Sequence, residues 1–207
     1  MMCPNRHSKN FSWLFLMIND IHPSLPTWYS KPVRFYHTLE HSKQVALLAH
    51  NLSTSIPETE QNRFFLWNAA LWHDAVYVPG SETNEAESAV ALTATIPGME
   101  YAASLIRQTT VVHHASNEVY SDMTLNCLLD ADLGPLSASY QAFKQNQANI
   151  MLELDIKAGD AWKVAEFLDT HFAAKKTIYR TPKGQHMMEK HARKNIARFV
   201  LDFPPLQ

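Results

Sequence analysis

Apolar residues recur at spacings of three and four along most of this chain, which is the pattern of helices that bury one face. Over residues 36–53 the pattern is carried by Leu39, Val45, Leu48, Ala49 and Leu52. Proline and glycine separate the periodic stretches, and the prolines among residues 21–32 exclude a continuous helix there. Besides 36–53, we predict helices over residues 58–74, 85–95, 99–114, 123–131, 137–156, 160–175 and 184–203.

Composition narrows this pattern to one fold class. Only five glycines occur among 207 residues, too few for the turns of a many-stranded protein, whereas 46% of the residues are hydrophobic. We therefore predict an all-α fold, a single domain over residues 1–207 built as a bundle of about seven to nine helices. Residues 28–135 would form the core that carries the chemistry, and helices from residues 136–203 would pack on it.

The N-terminal residues 11–18 are apolar and follow Arg6 and Lys9, which is the charge order of a signal peptide. However, Asn19 and Asp20 end the run without a small-residue cleavage site, and so short a run cannot span a bilayer. We predict an N-terminal core helix, no membrane association and a cytoplasmic location.

Charge and cysteine content exclude several partners. The chain has 18 basic and 20 acidic residues, a net charge of −2, without long runs of like charge, so broad nucleic-acid binding is not expected. Cys3 and Cys127 lie far apart without CxxC spacing. This pattern indicates neither a disulfide framework nor a thiolate metal site, and it suits a reducing cytosol.

The pair His73-Asp74 closes the mostly apolar run 64–77. An imidazole and a carboxylate in such a place must either pair with each other or bind a metal. On a regular helix adjacent side chains diverge by about 100°, so both reach one ion only at a helix end. The break at Pro79 and Gly80 offers such an end.

Further candidate ligands lie on either side of this pair. His37 and His41 have the spacing of one helical face, and Arg34 precedes them with a planar fork that suits phosphate. Asp132 is predicted at a helix end. Each residue alone could be an ordinary hydrogen-bonded side chain, and Asp130 and Asp132 could simply cap a helix. Together, two imidazoles and two carboxylates suit a divalent first-row metal.

The order His41, His73-Asp74, Asp132 resembles the ligand set of the HD superfamily of metal-dependent phosphohydrolases. A bacterial subgroup, described as predicted metal-dependent HD phosphohydrolases, is more similar still. The similar segments cover about residues 28–199: Arg34-x-Tyr36-His37-Thr38-Leu39-Glu40-His41, Trp72-His73-Asp74-Ala75-Val76-Tyr77, Asn84-Glu85-x-x-Ser88-Ala89, Thr110-x-x-His113, Asp130-Ala131-Asp132-Leu133 and Glu189-x-x-Ala192-Arg193-x-Asn195.

This resemblance implies an HD-type helical domain in which His41, His73, Asp74 and Asp132 hold a divalent ion: Mn, Fe, Co, Ni, Zn or Mg. A second ion is left open. The implied function is hydrolysis of a phosphomonoester or phosphodiester, a nucleotide or other small phosphorylated metabolite, by metal-activated water. The predicted catalytic residues are Asp74, Glu85, Arg34 and His113.

Several roles stay open at this point. Glu85 is predicted as a general acid/base, or as support for a helix start. Arg34 with His37 or His113 would bind substrate phosphate, or His37, His113 and Glu85 would hold a second metal; His113 is preferred to His114 as the residue facing the pocket. The alternative functions are a di-iron HD-type oxygenase and a non-catalytic metal or ligand sensor. A homo-oligomer through residues 199–206 is also left open.

Overall fold

The computed structural model describes residues 21–204, and this part of the chain is helical without strands. The all-α prediction is confirmed. The α-helices are α1 Leu25–Trp28, α2 Leu39–Ser53, α3 Glu60–Trp72, α4 Asn84–Thr95, α5 Glu100–Ile106, α6 Val111–Ala115, α7 Met123–Asp132, α8 Tyr140–Glu153, α9 Ala161–Leu168 and α10 Pro182–Asp202. Short 3-10 turns cover Gly134–Ser137 and Ala158–Asp160.

Helix starts follow from local chemistry. Five helices begin after a residue whose side-chain oxygen accepts a backbone N–H of the first turn: Thr38, Thr59, Asp122, Ser139 and Thr181. Such a cap satisfies one of the four unpaired N–H groups at a helix start and stabilises the helix by about 1 kcal/mol. These capping residues set where α2, α3, α7, α8 and α10 begin.

Two predicted helices are interrupted. The stretch 99–114 breaks after Ile106, and a new helix, α6, starts after Thr110, whose backbone is extended. The stretch 160–175 is regular only to Leu168 and continues as a π-helical turn over Asp169–Ala173. The N-terminal helix predicted over residues 11–18 lies outside the described residues.

The centre of the protein is formed by α2, α3 and α7, which pack on one another, while α5 covers α3. Their inner faces are fully buried, with Trp72 the largest side chain among them. In this arrangement the first turn of α2 meets the last turns of α3 and α7. The C-termini of α3 and α7 carry partial negative charge, which favours a cation where they meet, whereas the N-terminus of α2 carries partial positive charge.

The C-terminal helices are tied to the same end of the bundle. The carboxylate of Asp130 in α7 accepts hydrogen bonds from the backbone N–H groups of Arg180 and Thr181 and from the Thr181 hydroxyl, all at 2.7 Å. Asp130 is fully buried, so these bonds fix the start of α10 against α7. No helix within residues 21–204 is long and apolar enough to cross a bilayer.

Candidate metal centre

Three residues from three helix ends form a group that could hold a metal ion. One ligand atom each from His41, His73 and Asp132 lies within 4.8 Å of the others. His41 is in the first turn of α2, His73 directly follows α3, and Asp132 ends α7. Their side chains are only 6%, 2% and 19% exposed, so the polar atoms face one another rather than bulk water. All three are residues that the sequence pattern picks out.

Asp74 lies beside this group. Its Oδ2 is 3.0 Å from Nε2 of His73 and 3.8 Å from Nε2 of His41. Because α3 ends at Trp72, His73 and Asp74 occupy a turn rather than a helix, and adjacent side chains can point to the same place. The helix predicted to include His73 and Asp74 therefore ends two residues earlier, so that the pair lies just beyond it.

The distances suit ligands of one bound cation, and in its absence His41 Nε2 and Asp132 Oδ1 are within hydrogen-bond distance. Metal–ligand distances of about 2.0–2.2 Å place neighbouring ligand atoms about 3 Å apart. Asp132 Oδ1 is 3.0 Å from His41 Nε2 and 3.3 Å from His73 Nε2. His73 Nε2 and Asp74 Oδ2 are buried and close, yet they are not aligned as a hydrogen bond with any partner among the described residues. Such converging, unpaired polar atoms are typical of a ligand set.

The tautomer of His73 is suited to this role. Its Nδ1 lies 2.8 Å from the carbonyl oxygen of Ala70, which can only accept, so Nδ1 carries the proton. Metal binding would take the neutral ring, in which Nε2 has a free lone pair. Without a metal, burial would lower the pKa of His73, but Asp74 and Asp132 raise it well above its ordinary value. A histidine whose other nitrogen donates to a backbone carbonyl is the usual form of a metal ligand.

Both carboxylates are held as anions. Burial alone would raise the pKa of Asp74, but the neighbouring His73 and His37 imidazoles bring it below its ordinary value. At Asp132 burial acts in the same direction, but the positive charge of His73 and the hydrogen bond with His41 hold the pKa well below its ordinary value. Two carboxylate charges at neutral pH match a divalent cation.

Of the two neighbouring histidines of α6, His114 and not His113 faces the candidate metal centre. His114 is buried, and its Nε2 lies 3.0 Å from Asp132 Oδ2, whereas His113 is hydrogen-bonded to Thr110 at 2.7 Å. Because α6 is a separate helix after the break, its inner face differs from that of one continuous helix. Lys175 fixes this segment by donating to the carbonyls of His114 and Ser116. The preference for His113 is therefore corrected to His114.

The sequence predicts that Arg34 binds phosphate, whereas in the structure its guanidinium donates hydrogen bonds to backbone carbonyl groups. Its two terminal nitrogens donate to five backbone carbonyls, at 2.5–3.4 Å: those of Trp28, Lys31, His37, Asp74 and Ala75. The guanidinium also lies 4.8 Å above the ring of Tyr29. Since its terminal donors are already engaged, Arg34 holds the turn that carries Asp74 in place.

Replacing Arg34 with lysine should therefore lower stability. A single ammonium cannot span five carbonyls, so several would lose their partner, and we expect unfolding to become easier by about 2 kcal/mol. The melting temperature should fall by about 4–8 °C. Thermal denaturation measures this loss. If the stability is unchanged and the KM for a phosphate substrate is raised, Arg34 binds substrate and does not hold the turn.

His37 is joined to a residue that the sequence pattern did not single out. It lies just before α2 rather than within it, and its Nδ1 is 2.5 Å from Oε2 of Glu153 at the end of α8. Burial would raise the pKa of Glu153, but His37 and backbone N–H groups lower it to about 2. Nothing in the spacing of Glu153 signals this contact, because 116 residues separate the pair.

Glu85 is not brought into this group. It lies half-buried in the first turn of α4, and no hydrogen bond or ion pair found within residues 21–204 joins it to the candidate ligands. Its neighbour Asn84 holds the preceding loop through bonds to the backbone of Val78. An acidic residue in the first turn stabilises a helix start, and the catalytic role of Glu85 stays a prediction.

Comparison of this chain with protein-family models, with curated proteins and with solved structures finds no match. Membership of the HD superfamily therefore stays a prediction from the motifs.

Proposed function

We propose that this protein is a metal-dependent phosphohydrolase of the HD type, acting in the cytoplasm on a phosphomonoester or phosphodiester of a nucleotide or similar small metabolite. The observation that carries the proposal is the group of two imidazoles and two carboxylates at the meeting point of three helix ends. His41, His73, Asp74 and Asp132 would hold the ion. Bound there, a divalent metal (Mn, Fe, Co, Ni, Zn or Mg) would polarise a phosphoryl oxygen and activate water.

Phosphoryl transfer suits the charges around this group. The substrate is an anion, and the side chain of His37 beside the ligand group keeps 24% of its surface exposed. Burial would lower the pKa of His37, but Asp74 and Glu153 raise it above its ordinary value, which favours the protonated ring. A cationic, accessible imidazole stabilises the negative charge that develops during phosphoryl transfer. The motif order that resembles HD phosphohydrolases supports the same reaction class.

The test is a substrate panel run with and without metal. Protein stripped by a chelator and reloaded with one metal at a time should release phosphate from at least one nucleotide or small phosphate ester, and the stripped protein should release none. Metal content by mass spectrometry and phosphate release are measured on the same samples. Failure of every reloaded sample across monoesters and diesters would contradict the proposal.

One observation favours a second candidate, a di-iron oxygenase. Asp132 has His41 and His73 at Oδ1, while the buried His114 faces Oδ2, so its carboxylate could link two ions. Both ring nitrogens of His114 lack a hydrogen-bond partner among the described residues. In the metal measurements above, two irons per chain together with oxygen consumption would favour this candidate. One non-redox metal with phosphate release would exclude it.

A further inference from the structure

Glu153 is a buried carboxylate with an unusual set of partners. Its side chain is only 1% exposed. Its Oε1 accepts the backbone N–H groups of three consecutive residues, at 2.7, 2.8 and 3.1 Å: Phe35, Tyr36 and His37. Its Oε2 faces Nδ1 of His37 at 2.5 Å. A carboxylate that receives this many donors is ionised and can act only as an acceptor.

This contact fixes both the tautomer and the position of His37. Because the partner is an acceptor, Nδ1 carries a proton, and Nε2 is the ring atom left for chemistry. The His37 ring is stacked on the Tyr77 ring with centroids 4.3 Å apart. The Tyr36 ring makes a T-shaped contact with His37, and its centroid is 4.9 Å from that of His37. A carboxylate that holds an imidazole in one tautomer also stabilises the imidazolium when the second nitrogen is protonated.

His37 is placed to serve the candidate metal centre without belonging to its ligand group. Its ring centroid is 6.2 Å from that of His41. It is more exposed than the four candidate ligands, whose side chains range from 2% to 19%. An accessible imidazole that lies beside the ligand group, and not in it, is free to donate a proton to the leaving-group oxygen of a phosphate ester bound there.

We propose that Glu153 is the positioning residue of His37, and that His37 Nε2 donates a proton to the leaving-group oxygen. This role rests on the proposed phosphohydrolase function. As the water oxygen bonds to phosphorus, the bond from phosphorus to the leaving oxygen breaks. That oxygen keeps the electron pair and takes the proton from Nε2, while the attacking water loses its own proton to solvent. Glu153 keeps the neutral ring in place, and solvent returns a proton to Nε2.

The test is Glu153→Gln, assayed in the metal-loaded protein with two aryl phosphates that differ in their leaving group. For phenyl phosphate, whose leaving oxygen needs a proton, kcat should fall by about 100-fold. For 4-nitrophenyl phosphate, whose leaving group departs as an anion, it should fall by less than about threefold. Metal content should be unchanged. Glu166→Gln, an exposed carboxylate on α9, is the matched control and should alter neither rate.

A second variant separates positioning from simple structural support. His37→Asn should show the same selectivity between the two phosphates, and the double variant should be no slower than His37→Asn alone, because the two residues act as one unit. By proton NMR, the downfield Nδ1–H signal of His37 should disappear in Glu153→Gln.

The positioning role of Glu153 would be overturned, and the proposed function left standing, by either of two results. One is an equal loss on both substrates with metal retained, and the other is additive losses in the double variant. A metal-loaded wild-type protein that hydrolyses no phosphate ester at all would overturn the proposed function, and this role with it.

Discussion

Alanine in place of Asp74 should abolish both metal retention and turnover. Asp74 Oδ2 lies 3.0 Å from His73 Nε2 and 3.8 Å from His41 Nε2, a separation at which a carboxylate and imidazoles can share one cation. Loss of one charged ligand should weaken metal binding by more than roughly 100-fold. Because a metal contributes several kcal/mol to catalysis, kcat/KM should fall by roughly 1000-fold or more.

The fold should survive this change. Arg34 holds the turn through the backbone carbonyl of Asp74, which alanine keeps. Metal content after gel filtration and phosphate release are measured together, with Asp169→Ala, an exposed aspartate, as the matched control. Asp132→Asn, which preserves shape while removing the charge, should reproduce the loss. Intact metal content and activity in the Asp74 variant would contradict the assignment of this residue as a ligand.

Asparagine in place of Asp130 should have the opposite effect to the Asp74 change. It should greatly lower stability and have no direct effect on metal binding. Both oxygens of Asp130 are used by donors from Arg180 and Thr181 at 2.7 Å. An amide would turn its own N–H group toward one of these donors in a fully buried place. We expect a loss of about 3 kcal/mol, or about 6–12 °C in melting temperature.

Denaturant and thermal unfolding of the Asp130 variant give the size of this loss. Metal content per folded molecule serves as the control, because Asp130 and Asp132 lie two residues apart on α7 and point to different partners. A stable Asp130→Asn protein that binds no metal would show that the two aspartates have been assigned the wrong way round.

The helices could be predicted largely because their burial pattern is local. The spacing of Leu39, Val45 and Leu52 predicts α2 from about residue 36, and the cap at Thr38 makes it begin at Leu39. The break after Ile106 could not be predicted, since no proline or glycine marks it. There the chain turns because the extended backbone of Thr110 begins a new helix. Periodicity reports which face is buried, but it does not report such a change of direction.

The candidate metal group could also be predicted. His41, His73 and Asp132 could be named from the resemblance of their order to the HD ligand set, and breaks in the pattern predict the helix ends near His73 and Asp132. His114 was missed because one position on a helix turns a side chain by about 100°, and the kink before α6 changed which position faces inward. The sequence predicts phosphate binding by Arg34 because partners such as the backbone carbonyl of Asp74 come close to it only in the folded chain.

The links from Glu153 to His37 and from Thr181 to Asp130 have a consequence for the order in which the site is completed during synthesis. All four candidate ligands have emerged from the ribosome once Asp132 has been added, but the residues that hold His37 and α7 follow much later. A nascent chain that binds metal early would do so with its histidines and aspartates still loosely placed. Under the proposed function, selective and tight metal binding would therefore require the finished chain.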